Sequence, residues 1–213
     1  MQEYLKETSF LDFNDPVYDT FLVDVDTNCS NKELAIALYY KVRDSFLYDP
    51  YHLNITEDGL RGSNIIFKKR AWCVEKAIVL ASLARKYGIP SRLGYAIVTN
   101  HIGVEKLIEY LKRPEIVFHG YVELFIDDKW IKCTPSFDKR ICKVSRVSTL
   151  EWDGQNDSMF QEYDKGKRFM DYILYYGEFS DVPLKLMNNE MRKYYPHLFE
   201  TDYNSKAFSF IHS

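Results

Sequence analysis

Two side chains in this sequence are of the types that carry out nucleophilic chemistry together, Cys73 and His119. Cys73 follows Arg70-Ala71-Trp72 and opens a stretch in which Val74, Ala77, Ile78, Ala81 and Ala84 recur at helical spacing. Backbone N–H groups in a first helical turn are unpaired, and the helix dipole there favours an anion. That placement favours the thiolate, the nucleophilic form of cysteine. The same N–H groups, that of Cys73 included, are suited to hold an oxyanion during acyl transfer. Taken alone, a helix-start cysteine is more often a small buried hydrophobe.

A thiol nucleophile needs a base within hydrogen-bond reach, and the base needs a third group to orient its ring. His119 opens a strand pattern in which His119, Tyr121, Glu123 and Phe125 share one face, polar enough to border a cleft. Val122, Leu124 and Ile126 share the other face. The partner strand runs through Trp130 and ends at Thr134-Pro135, with Asp138 shortly after. Thr134 and Asp138 are both candidates for the far nitrogen of His119.

The elements that must position these groups are legible in the pattern. Ser30 to Glu33 is a capping box opening a helix with Leu34, Ala37, Leu38 and Val42 on one side. It should stop before Asp49-Pro50, because a residue preceding proline disfavours the helical region. The segment from His52 to Lys69 reads mostly as loop. A helix over Trp72 to Tyr87 is stopped by Gly88 and Pro90. Arg92 to Val98 reads as a strand, and Asn100 as the cap of a short helix running through Val104 to Leu111. Val117 to Cys133 reads as a hairpin turning at Asp127-Asp128. After Asp138, helices are expected over Lys167 to Tyr176 and over Leu184 to Tyr194. Helices, then strands, then helices argue an α+β fold.

Composition narrows the function classes. The chain has 213 residues, 46% hydrophobic and 28% charged, with 17 Tyr and 14 Phe. That is the profile of a folded domain with rings enough to line a cleft as well as a core. Net charge is −3, and the longest basic run is Lys68-Lys69-Arg70, read as a solvated turn before a helix, so nucleic acid is not an expected partner. The first residues lack a signal-peptide core and no stretch is apolar enough to span a membrane, so a cytoplasmic protein is expected. In a chain this long without a secretion signal the four cysteines (Cys29, Cys73, Cys133, Cys142) are expected to be reduced thiols. They form no CxxC pair and no histidine stands at ligand spacing from them, so no structural zinc is expected, and no cofactor is expected either.

Four ordered strings give the sequence a family resemblance. They are Cys73-Val74-Glu75-Lys76-Ala77, Tyr87-Gly88-Ile89-Pro90-Ser91-Arg92, His119-Gly120-Tyr121-Val122-Glu123 and Trp130-Ile131-Lys132-Cys133-Thr134-Pro135. Cys-x-x-Lys-Ala followed by Gly-Ile-Pro-x-Arg resembles the core pattern of the transglutaminase-like superfamily. Asp49-Pro50-Tyr51, Asn100-His101, Thr134-Pro135-Ser136-Phe137-Asp138 and Asp181-Val182-Pro183 are similar to a bacterial branch of it. The resemblance implies a papain-like core in which a central helix presents the cysteine against an antiparallel sheet. It implies one domain over residues 1–213, with a catalytic core at about 30–140 and a C-terminal extension over 141–213. Cys73 is then the nucleophile, His119 the general base and acid, and Asp138 the orienter, with Thr134 as runner-up. The wider superfamily has Asp-Pro where this chain reads Thr134-Pro135.

The implied activity is acyl transfer on the amide bond of a peptide or other amide-bearing substrate, through a thioester. Water as acceptor makes a peptidase or amidase, and an amine makes a transglutaminase. Hydrolysis is the preferred expectation, because the chain is small and has no calcium-loop pattern. The superfamily's peptide N-glycanases leave a glycosylamide among the substrates. The competing reading is a binding module that keeps the fold without turnover. Among the neighbours, Arg92 is expected to pair with a buried carboxylate, and Glu75 and Lys76 to form surface ion pairs. Trp72 either shapes the acyl pocket or packs the helix start. His101 is read as a loop histidine, and Cys133 and Cys142 as buried bystanders. The late aromatics Phe160, Tyr163, Phe169, Tyr172, Tyr175 and Tyr176 either wall a cleft or belong to the core, and core is the preferred expectation.

Overall fold

Ser30 caps the first long helix as its sequence dictates: its hydroxyl accepts from the Glu33 amide, and the Glu33 carboxylate accepts from the Ser30 amide. The structure is a computed structural model that describes residues 1–101, 105–159, 162–164 and 167–199. In chain order the elements are α1 (Val17–Phe21), α2 (Asn31–Ser45), β1 (Leu47–Tyr48), α3 (Gly62–Ile66) and β2 (Arg70–Ala71). Then come α4 (Cys73–Lys86), β3 (Ser91–Asn100), α5 (Glu105–Leu111), β4 (Glu115–Ile126) and β5 (Lys129–Cys133). The chain continues through α6 (Lys139–Ser145), β6 (Glu162–Asp164), β7 (Lys167–Arg168), β8 (Met170–Phe179) and α7 (Leu184–Tyr194). Short 3-10 turns lie at Gln2–Leu5 and Pro196–Leu198.

The main sheet has four antiparallel strands in the order β5-β4-β3-β8. Asp127 and Asp128 turn the β4–β5 hairpin with φ of 50° and 61°, both left-handed, as a two-residue hairpin turn requires. On one face Phe118, Val122 and Leu124 pack into the larger core with α4 and α2. On the other, Ala96, Val98, Tyr121, Phe137, Phe169 and Met170 form a smaller core.

Helix α4 is enclosed nearly all round: every residue from Cys73 to Arg85 is buried. The sequence suggested surface charges here, and the structure corrects that. Glu75 is buried, accepting from the Trp72 amide at 3.2 Å and pairing with Lys68. Lys76 is buried too, its Nζ donating to the Arg43 carbonyl at 2.9 Å. Burial lowers the Lys76 pKa to about 8 against the upward pull of Asp138 and Asp44. Arg85 is tied down by donating to the carbonyls of Lys6, Ser91 and Ser180. Gly88, at φ 74°, terminates the helix.

The expected helix over Lys167 to Tyr176 is instead strand, β7 and then β8 at the sheet edge beside β3. Tyr and Ile prefer a pleated, half-buried surface, and the unpaired edge of β3 offers one. Part of the presumed C-terminal extension therefore lies in the central sheet. The α7 helix falls where the pattern put it. The short helix after Asn100 starts at Glu105, and the Val104 end of that expectation lies outside the described residues, as do Phe160 and the side chain of Tyr163. No described helix is long and apolar enough to cross a membrane.

Candidate active site

Trp72 is extended (φ −93°, ψ 176°) and hands the chain from β2 into α4, which makes Cys73 the first helical residue. Its thiol is only 2% exposed. Burial pushes the Cys73 pKa up, the backbone N–H groups of Gly120, Val74 and Cys73 itself pull it down, and the balance is about 11. The helix start therefore supplies the expected N–H groups, but in this closed arrangement desolvation outweighs them and the resting group is a neutral thiol.

His119 reaches the site through an irregularity in β4. Ala96 pairs with His119 but Val98 pairs with Ile116, so Val117 and Phe118 together face the single residue Ile97. This is a β-bulge, which bends a strand and re-aims its side chains. Phe118 takes up the bend at φ 60°, a conformation costing about 1–3 kcal/mol for a non-glycine residue and concentrated at functional sites. Its ring is held between Tyr95 and Tyr176, with centroids at 5.3 and 4.5 Å.

The imidazole of His119 is 1% exposed, and its Nε2 has no hydrogen-bond partner. Burial lowers its pKa to about 3, so it stands neutral and able to accept a proton. Beside it, Gly120 meets the first turn of α4: a Cβ there would lie 2.9 Å from the Val74 Cα. The residue after the histidine thus seats the residue after the cysteine. Tyr172 lies beside His119, its ring edge-on at 5.7 Å, and its phenol is within electrostatic reach of Cys73.

The two candidates for the third position are used differently. Asp138 is buried and caps α6: Oδ1 accepts from the amides of Arg140 (2.9 Å) and Ile141 (3.2 Å), and Oδ2 from the amide of Tyr48 (2.7 Å). Among the described residues no hydrogen bond joins it to His119. Thr134 shares with His119 the lining of a void of about 10 Å³, with Met159 and Phe169. Its Oγ1 lies 3.5 Å from the Met159 sulfur and 3.5 Å from the Tyr172 hydroxyl.

Several other readings stand in the structure. Arg92 does pair with the buried carboxylate of Glu123, Nε to Oε2 at 2.6 Å, with Lys132 at 3.3 Å on the other oxygen. His101 is an exposed loop histidine bound to Asp171 at 2.6 Å. None of the four cysteines is in a disulfide, with Cys133 and Cys142 buried and Cys29 exposed. Trp72 is buried with its indole Nε1 unpartnered. The helical reading of its segment sets Tyr172 apart from the sheet, whereas β8 places it beside His119. No local signal separates the two readings; the pairing of β8 with β3 does.

A cysteine heading a central buried helix, packed on an antiparallel sheet that carries a histidine, is the framework of the papain-like class. Within that class the chain belongs to the transglutaminase-like superfamily, whose family model matches residues 21–135, more than half of the sequence. The match spans Cys73, His119 and Thr134 and ends before Asp138. A solved structure of a presumed cysteine protease from Cytophaga hutchinsonii is similar at 14% identity and a TM-score of 0.47. The similarity covers 62% of this chain and 40% of that one, and at this level it carries no argument about activity. No curated protein matches the sequence.

Proposed function

We propose that the protein is a cysteine-dependent acyl-transfer enzyme acting on an amide bond, with Cys73 as nucleophile and His119 as general base and acid. One observation carries the reading: His119, a neutral imidazole with an unpartnered Nε2, directly precedes Gly120, whose backbone N–H acts with those of Val74 and Cys73 on the Cys73 sulfur. His119 takes the thiol proton as Sγ attacks the amide carbonyl carbon. The oxyanion is held by backbone N–H groups of the α4 start. His119 then returns the proton to the departing amine as the C–N bond breaks, leaving a thioester on Cys73. Water attacks the thioester, releases a carboxylic acid and restores the thiol. Water needs no binding site of its own, so hydrolysis is the proposed outcome and transfer to an amine the alternative.

The third member follows the geometry rather than the order of the motifs. Asp138, proposed from the family pattern, acts by fixing β1 and α6 around the site, while Tyr172 lies edge-on to the imidazole and Thr134 lines the same void. The burial of both Cys73 and His119 favours a second reading, a binding module without turnover.

Incubation with p-nitrophenyl acetate separates the two. The enzyme reading expects an acetyl adduct on Cys73, discharged by hydroxylamine and absent from Cys73→Ala. No adduct on Cys73, with Cys29 acetylated instead, would leave the binding module. A fluorescent primary amine added to the acylated protein decides between water and amine as acceptor.

A further inference from the structure

The nucleophile and base are sealed, and the seal has a particular composition. Beside the site lies a cleft of about 450 Å³, within the size range of ligand pockets. Its walls include Tyr48, Tyr51, Leu107, Phe137, Ile141 and Phe169. Phe137 and Phe169 also line the small void at His119, which has room for no more than about one water molecule. Tyr48, the next ring of the wall, lies within electrostatic reach of Cys73. The three rings form one partition, with centroids 4.6 Å apart for Tyr48–Phe137 and 4.9 Å for Phe137–Phe169. The cleft and the void at His119 are thus two sides of one aromatic wall.

The rim of the cleft carries charge, but the charge is matched within it. Asp49 is 5% exposed; its Oδ1 accepts from the Tyr51 amide at 2.9 Å, and its Oδ2 lies 2.7 Å from the His52 Nδ1 and 3.8 Å from the Arg70 Nη1. The interior is left to aromatic and aliphatic surface, which selects by apolar contact. Arg70 and Ala71 form β2 and lead through Trp72 directly to Cys73, so the cleft mouth and the nucleophile share one piece of backbone.

We infer that this cleft is the substrate's entrance and specificity pocket. It takes a large apolar, preferentially aromatic, side chain next to the scissile amide, and Phe137 and Phe169 are the gate that must move for that amide to reach Cys73. The inference rests on the nucleophile–base reading given above. It also accounts for the burial of both groups: the resting protein is closed, and an occupant of the cleft displaces the wall from its outer side.

The test uses thiol-directed reagents and mass spectrometry at each cysteine. With a chloromethyl ketone, the Sγ–carbon bond forms as the carbon–chlorine bond breaks, and chloride leaves while the thiol proton goes to His119. The N-acetyl-phenylalanyl ketone should label Cys73 at least about tenfold faster than the N-acetyl-alanyl ketone, the discrimination a well-formed apolar pocket supplies. Ser145→Trp, at the cleft lining, should narrow that ratio. Phe137→Ala, and Phe137→Leu as the variant less disturbing to folding, should raise Cys73 labelling by small iodoacetamide about tenfold or more. Equal rates for the two ketones, or iodoacetamide labelling indifferent to both Phe137 variants, would overturn the inference. If Cys73 still reacts in a His119-dependent way, only the cleft inference falls. If Cys73 resists every reagent even in Phe137→Ala, the nucleophile reading falls with it.

Discussion

Gly120 and Val74 hold the site together: the missing Cβ of Gly120 is the space into which the Val74 backbone fits, 2.9 Å from where that carbon would stand. Each residue follows a reacting one, so this contact fixes how closely the cysteine helix approaches the histidine strand. Gly120→Ala forces either α4 or β4 to shift. The expected result is a loss of about 1–3 kcal/mol in urea unfolding, the usual cost of overpacking. A fall in Cys73 alkylation rate at pH 7 should accompany it. Retention of both wild-type values would mean that the approach is not set here.

His119 makes stability depend on pH. Its folded pKa, about 3, lies below the ordinary 6.5, so on acidification the unfolded chain binds a proton that the folded protein refuses. The stability this provides is fully present above pH 6.5 and is lost as the pH falls toward 3, by up to about 1.4 kcal/mol per unit. Between pH 7 and 5 the loss should be roughly 1–2 kcal/mol in chemical denaturation. His119→Gln should flatten the slope. An unchanged slope in the variant would show that the imidazole is not buried as described.

Asp138 and Thr134 can be separated by substitution. Asp138→Ala removes the acceptor of three backbone amides and should cost about 2 kcal/mol or more, at the upper end for a helix cap. Asp138→Asn keeps an acceptor and should recover much of that, with the pH dependence of Cys73 labelling unchanged. Thr134→Val should leave stability near wild type and alter that pH dependence, because Thr134 shares the wall of the His119 void. An Asp138→Asn protein that is fully stable but has lost its His119-dependent labelling would return Asp138 to the role of orienter.

Much of this arrangement is legible in the sequence where local rules decide it. The Ser30–Glu33 box, the Gly88 stop and the Asp127-Asp128 turn each act within a few residues, and the structure keeps all three. The reading failed where partners are distant in sequence. Phe169, Tyr172, Tyr175 and Tyr176 are spaced as a helix face would be, and only pairing with β3 makes them a strand. Asp138 follows a motif that resembles a catalytic position, yet its Oδ2 is taken by the amide of Tyr48, on a different element. Glu75 and Lys76 look like surface charge because nothing local reveals that α4 is enclosed on all sides. The expected low thiol pKa failed for the same reason, since the helix start is read from sequence and the depth of burial is not.

The central claim is that Cys73 and His119 act as a pair. Its most direct test is the iodoacetamide labelling rate of each cysteine from pH 5 to 10, by mass spectrometry, in the wild type and in His119→Gln, whose side chain keeps most of the volume. The account predicts that Cys73 labelling at pH 7 falls at least about tenfold in the variant, as loss of a general base requires, while the exposed Cys29 is unaffected. Equal Cys73 rates in the two proteins across that range would contradict it.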